Sequence, residues 1–237
     1  MKKHIYLFVA ASCVAACQSP QSDEAKISEP KKEAQATSGA TYVVDKTASR
    51  IEWIGTKVSG YHNGTIDIKN GELTVSGGDV KAGSFVLDMP TIVASGPDKV
   101  SRENNEKLTG HLRSQDFFDV EKYPEATFVI TNVKGFSGTV DDKDDPRQEK
   151  LKEYSVPDPT NTVSGNLTMH GTTKNIEFPA RITVSSNTLE ARAKFNIDRK
   201  DWGLVYPGQP DDLIRDEIHL GIYLRANKQD GSMGMLK

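Results

Sequence analysis

The stretch Leu189-Glu190-Ala191-Arg192-Ala193-Lys194-Phe195-Asn196-Ile197 alternates an apolar with a polar side chain at every step. Successive side chains of a β-strand point to opposite faces, so the pattern describes a strand with one covered and one wet face. The same period recurs elsewhere. Ile218, Leu220, Ile222 and Leu224 alternate with His219, Gly221, Tyr223 and Arg225, which places His219 in solvent, and Ile176, Phe178, Ala180, Ile182 and Val184 form a third set. Ala126, Phe128 and Ile130 form a fourth behind Pro124, whose fixed φ and missing N–H suit the residue that opens a strand. Phe85, Leu87 and Met89 continue the series, while Gly71, Gly77-Gly78, Gly83 and Ser186-Asn187 punctuate it at short intervals. One short helix is expected over residues 98–112, where Val100, Asn104, Leu108 and Leu112 fall roughly on one face and Gly110 weakens the end.

A meander of this kind can bury its apolar face by closing into a barrel or by packing two sheets as a sandwich. Alternation alone leaves both open. A barrel of about eight strands can hold one small or elongated ligand. Small inward residues such as Ala191 and Ala193 beside Phe195 would leave such a lumen, and a large side chain at Ala193 would then block it.

The first 40 residues have a different character. Lys2 and Lys3 precede a short, mostly apolar run to Ala16, which falls below the roughly 20 residues that span a bilayer. Val14-Ala15-Ala16-Cys17 resembles a lipoprotein signal site, so residues 1–16 read as a signal peptide and Cys17 as the acylated N-terminus of the mature chain; a simple secretory cleavage is the alternative. Both cysteines of the chain lie in this segment, which leaves the mature domain without disulfide or thiol chemistry. Residues 18–40 carry one large aliphatic, Ile27, and read as a flexible tether between the anchor and a domain at 41–227. Residues 228–237 read as a tail. Gln18 is not the Asp associated with inner-membrane retention, so the expected location is the outer membrane facing the periplasm, with the inner membrane and the cell surface as alternatives.

Once the signal is removed, 28 Lys and Arg face 33 Asp and Glu, and no basic patch dominates, which argues against a nucleic-acid partner. G-x-S-x-G, H-E-x-x-H, P-loop and G-x-G-x-x-G motifs are absent, and His62, His111, His170 and His219 show no close pair at metal-ligand spacing. No catalytic residue, metal or cofactor is expected. Monomer and homodimer both remain open.

Residues 110–128 contain His111-Leu112-Arg113-Ser114, Asp116-Phe117-Phe118-Asp119, Tyr123-Pro124 and Thr127-Phe128. They resemble the H-L-R-S-x-D-F-F-D and Y-P-x-x-T-F signature of the YceI-like family of bacterial periplasmic lipid-binding proteins. Further pieces follow in register: Tyr42, Asp45, Ser49, Ile51 and Trp53 near the start, His62-Asn63-Gly64, the Gly165–Lys174 hairpin, Ile197-Asp198-Arg199 with Trp202-Gly203-Leu204, and Ile214–Ile218 as an acidic turn opening the last strand. The charged insertion at 141–160 and Trp202, where many relatives carry Phe, depart from the pattern. The resemblance implies an all-β, antiparallel, lipocalin-like β-barrel with an isoprenoid-binding channel.

On that reading the protein is an extracytoplasmic carrier, buffer or scavenger of a long polyisoprenoid or quinone-like lipid, attached to a membrane through Cys17. Its rivals are an enzyme that isomerises or hydrolyses a lipid inside the barrel and an interaction protein with a filled core. His62, His111, Arg113, Asp116, Arg199 and Arg215 fall at turns or element ends and are candidates for the channel mouth. The planar donors of the arginines would suit a diphosphate, whereas a quinone needs only one or two hydrogen bonds. The alternative for these groups is local structure: a turn network of Arg113 with Asp116, and Arg199 paired with Asp201 or Glu217. Trp53 and Trp202 are candidates for the channel wall or for plain core; Gly203 beside Trp202 would permit close backbone approach.

Overall fold

A computed structural model of the protein describes residues 23–138 and 154–229. The signal peptide, Cys17, most of the 141–160 insertion and most of the C-terminal tail lie outside the described residues. In chain order the strands are β1 (Lys26–Ser28), β2 (Ala40–Val44), β3 (Arg50–Lys57), β4 (Gly60–Ser76), β5 (Asp79–Gly96), β6 (Glu125–Gly135), β7 (Asn161–Met169), β8 (Thr172–Val184), β9 (Thr188–Asp198), β10 (Gly208–Gln209) and β11 (Asp212–Lys228). A single helix, α1 (Arg102–Arg113), lies between β5 and β6. β2 and β3 act as one interrupted strand, because both pair with β4 on one side and β11 on the other. The ring runs on through β5, β6, β7, β8 and β9 back to β11, so eight antiparallel strands close into a barrel. The lipocalin-like expectation holds and the open sandwich does not.

The expected inward faces are the buried ones. Leu189, Ala193, Phe195 and Ile197 in β9 line up with Ala126, Phe128 and Ile130 in β6 and with Ile176, Phe178 and Ala180 in β8, all within the core. The β7–β8 connection is a two-residue hairpin in which His170 and Gly171 both have positive φ, as a type I′ turn requires. Proline 124 sits one residue before β6, where its carbonyl accepts from Met89 N–H at 3.0 Å.

Helix α1 begins later than the expected residue 98. Ser101 is its N-cap, accepting from Asn104 N–H, and residues 97–100 form a turn closed by Val100 N–H to Pro97 C=O. Gly110 does not end it; Ser114 does, its hydroxyl donating to His111 C=O at 2.8 Å. The helix is held to β5 by Ala94 N–H donating to Thr109 Oγ1 and by Arg113, which sends two N–H bonds to the Ile92 carbonyl. Arg113 is therefore a structural clasp, not part of a mouth, and it makes no turn network with the exposed Asp116.

The tether expectation fails for its described part. β8 and β9 pair only from Arg181↔Arg192 to Val184↔Leu189 and then diverge, leaving backbone donors and acceptors of both strands open. Residues 23–28 fill this seam, and the chain then runs on across β7 and β6. β1 pairs with β8 at residues 175–177, Ala25 N–H donates to Asn196 C=O, and Asn196 N–H donates to Asp23 C=O. Farther on, Asn166 grips the Lys31 backbone from both sides, accepting from its N–H at 3.0 Å and donating to its C=O at 2.7 Å, and Ala34 N–H donates to Ile130 C=O. A polar composition is no obstacle, because the seam is satisfied by main-chain groups that every sequence carries.

His219 corrects another expectation. It lies on the outer face of β11, as its parity requires, yet it is only 4% exposed. Its Nδ1 meets Asn196 Oδ1 at 3.0 Å and the Tyr154 ring stands edge-on at 5.3 Å. Burial, assisted by the Lys194 charge, lowers its pKa to about 4 from an ordinary value of 6.5. Because the native state resists the proton that the unfolded chain accepts, stability is lost as pH falls from about 6.5 towards 4. The stability of the native protein relative to His219→Gln, measured by urea unfolding, should fall by roughly 1–3 kcal/mol between pH 7.5 and pH 4; a pH-independent difference would show that His219 titrates normally.

Candidate functional site

Four phenylalanines from four strands cross the interior at one level. Phe85 in β5 stacks on Phe128 in β6 with ring centroids at 5.2 Å, Phe128 meets Phe178 in β8 at 5.8 Å, and Phe178 stacks on Phe195 in β9 at 4.1 Å. Gly165 in β7 makes the layer possible: a β-carbon there would lie 2.2 Å from the tip of the Phe128 ring. The layer divides the barrel. Leu87, Met89, Leu167, Ile197 and Leu220 line a chamber of about 300 Å³ on one side, and Phe85, Val163, Ala193, Ile222 and Leu224 line a cavity of about 60 Å³ on the other. The expected single lumen is thus a chamber with an aromatic floor.

The division reassigns three candidates. Of the two cavities, Ala191 and Ala193 line the smaller and not the chamber, and Phe195, fully buried, is part of the floor. A large residue at Ala193 would press on the lower cavity and leave the main chamber untouched.

The chamber wall is almost entirely apolar, with Ile51, Ile66, Ile92, Ile214 and Ile218 among its members. Helix α1 and the residues that follow it cover one side through Leu108, His111, Leu112, Phe117 and Phe118. His111 is held among rings, with Tyr206 at 4.6 Å and Phe117 at 6.1 Å. Trp53 and His62 also line the chamber, from β3 and β4. Each stands opposite a glycine: Gly64 pairs with Trp53 and Gly55 with His62 across the β3–β4 ladder, and the Trp53 ring packs onto Gly64. A β-carbon at Gly64 would meet Val93 O at 1.8 Å and Trp53 Cζ2 at 2.8 Å, so no other residue fits there.

Polar groups at the chamber are committed to one another. Arg199 lines it and is 1% exposed, but its guanidinium donates to Leu204 C=O, to Arg215 C=O at 3.2 Å and to Asp216 Oδ1 at 3.0 Å. Residues 215–217 are not the expected turn opening the last strand: they bulge from the β3–β11 ladder within β11, and the bulge presents the Arg215 and Asp216 acceptors. Arg199 thus pairs with Asp216, and neither Asp201 nor Glu217 is its partner. Arg215 is not in the chamber wall. Lys57 lines the wall and is bound by Asp212 at 2.6 Å; this contact, aided by hydrogen bonds from Ser59, holds the Asp212 carboxyl at about 2. Trp202 lines neither cavity; it is fully buried in a 3-10 turn, Arg199–Trp202, and donates to Leu167 C=O at 3.0 Å. Gly203 caps that turn at φ 74°, which accounts for the glycine without any close approach.

Of the expected site residues, the structure brings Trp53, His62, His111 and Arg199 to one chamber. Reading the sequence missed Met89, Ile92, Leu108, Tyr206, Lys57 and Asp212 in its wall. Two glycines at alternate inward positions, Gly55 and Gly64, were the legible signal that rings sit opposite them. Among the described residues no cluster of three or more His, Cys, Asp or Glu could hold a metal ion.

Comparison with known proteins gives the same picture. A UPF0312 protein of Pseudomonas putida strain GB-1 is 30% identical over 191 residues, covering 76% of this chain and 84% of that protein. A UPF0312 protein of Pseudomonas syringae pv. tomato is 28% identical over 189 residues with the same coverage. Two solved structures share the fold, each with a TM-score of 0.56: Burkholderia cenocepacia BcnA, at 16% identity and covering 77% of this chain and 99% of that one, and a polyisoprenoid binding domain from Saccharophagus degradans, at 15% identity and covering 80% and 99%. The model of the YceI-like domain matches residues 42–226, from the buried Tyr42 in β2 to the buried Ala226 in β11, and the chain belongs to the YceI-like family.

Proposed function

We propose that this protein binds one isoprenoid-like amphiphile in the chamber above the phenylalanine floor and acts as a membrane-tethered carrier or buffer outside the cytoplasm. The observation that carries the reading is the chamber itself: about 300 Å³ of apolar space inside a closed barrel whose other half is packed. Interiors are normally filled to crystal-like density, so space of this kind is a departure that a ligand explains. The printed description of the Saccharophagus degradans neighbour as a polyisoprenoid binding domain supports the same class of ligand.

The volume stands at the lower end of small-molecule sites, so the chamber takes a short chain or the leading part of a longer one. Each methylene withdrawn from water contributes about 0.8 kcal/mol, which makes uptake from water strong. Withdrawal from a bilayer gains almost nothing, because lipid tails are already apolar. A protein limited in this way collects stray lipid from the aqueous phase and returns it to a membrane. The chamber presents apolar contact and fixed rings; its buried cation, Arg199, is consumed by structure. We therefore read it as a binding site and not as an active site.

Gly55 offers a direct test, since a β-carbon added there meets only Ile218 Cδ1 and the Trp53 ring, at 3.5 and 4.0 Å, and can point into the chamber without backbone strain. Gly55→Leu should reduce uptake of farnesol at least tenfold while the melting temperature is unchanged or raised; undiminished uptake would place the ligand elsewhere. The anchor is tested separately: Cys17→Ser should move the protein from the membrane to the soluble fraction of its native host, and a variant still retained by membranes would remove Cys17 as the attachment point.

A further inference from the structure

Four buried side-chain polar atoms lack a hydrogen-bond partner among the described residues, and two of them belong to the chamber wall: Trp53 Nε1 and His62 Nδ1. An unpaired buried polar group is costly enough that native structures rarely tolerate one, and two in one cavity ask for a reason. The two side chains share a face. Trp53 pairs with Gly64 and His62 with Gly55, so the rings are diagonal neighbours on the inner side of the β3–β4 ladder, about 7–8 Å apart at the backbone. Gly55, opposite His62, leaves room beside the Trp53 ring, since a β-carbon there would come no nearer than 3.5 Å to Ile218 Cδ1 and 4.0 Å to Trp53 Cζ3.

Their hydrogen-bonding characters are complementary. An indole N–H can only donate. The backbone of Gly96 supports a proton on the His62 ring, and because Nδ1 has no hydrogen-bond partner we assign that proton to the other ring nitrogen, which leaves Nδ1 with its lone pair. Burial and the nearby Lys57 charge disfavour the imidazolium, so the ring is a neutral acceptor. A ligand group lodged between them would have to accept one hydrogen bond and donate another. An anion offers no donor, and the cations it would need are already taken: Lys57 by Asp212, and Arg199 by Asp216 and two carbonyls.

We infer that the chamber selects an uncharged headgroup that both donates and accepts a hydrogen bond, in simplest form the hydroxyl of a long-chain alcohol, held between Trp53 Nε1 and His62 Nδ1. This inference rests on the lipid-binding reading and adds the headgroup to it. It replaces the arginine-bound diphosphate, which the committed side chains of Arg113 and Arg199 do not support.

The test is a competition among farnesol, farnesyl methyl ether and farnesyl phosphate for the purified full-length protein, read by native mass spectrometry. The three share a tail, and the ether keeps the acceptor while losing the donor. Farnesol should exceed the ether roughly tenfold, the value of one buried hydrogen bond, with the phosphate weakest. His62→Phe should bring the farnesol-to-ether ratio close to one, and Trp53→Phe should weaken both ligands together. Because the wild-type ratio is itself decisive, a variant that fails to fold does not spare the inference. Equal binding of alcohol and ether, or preference for the phosphate, overturns the headgroup assignment and leaves tail binding in place. Uptake of none of the three overturns the lipid reading and this inference with it.

Discussion

The hydrogen bonds between β3 and β11 convert a meander into a ring, and the rest of the molecule depends on that closure. A sheet of this length left open would expose two edges of unpaired backbone groups and could not enclose a volume. Closure also dictates where irregularity is tolerated. The bulge at residues 215–217 lets β11 keep pairing with β9 while presenting the acceptors that bind Arg199. A cation buried to this degree is stable only with its N–H groups satisfied, and truncating it would leave the Leu204 and Arg215 carbonyls without its donors while Asp216 kept only Lys200.

Closure alone does not make a chamber. The phenylalanine layer does so by filling one level completely, so that the strands on one side collapse onto small residues such as Ala193 while those on the other are held apart by Trp53, Met89 and the lid of α1. The floor is built from pairs worth about 0.5–1.5 kcal/mol each beyond their burial. A rigid floor fixes the depth to which a chain can enter. On the proposed lipid-binding reading, selectivity would then fall to the chamber wall, where polar atoms are few.

Much of the barrel was legible in the sequence, because period two survives in a strand with one covered face. The sets beginning at Ala126, Ile176 and Leu189 are buried where alternation put them. The family pieces spaced from Tyr42 to Ile218 fixed closure, which alternation could not. The N-terminal segment was illegible for a physical reason: its hold on β8 and β9 is made by backbone atoms, and composition reports only side chains. One clue was available in Asn166 and Asn175, which are unusual in strands and turn out to be buried beneath that segment. His219 was missed for a related reason: parity places it on the outer face, but Asn196 and Tyr154 shield it there. The mouth arginines illustrate a different limit. Residue type identified them as anion binders, yet the donors of Arg113 and Arg199 were spent on carbonyls that only the folded backbone brings near.

The docked N-terminal segment changes the mechanics of attachment. With the chain clamped to β9 from Asp23 onward, only residues 18–22 separate the proposed acylation site from the barrel wall. Five residues span at most about 18 Å even when fully drawn out. The clamp meets β9 at Asn196, next to Ile197 in the chamber wall, so a leash this short would restrict tumbling as well as distance. It would moor the barrel by the seam that flanks the chamber.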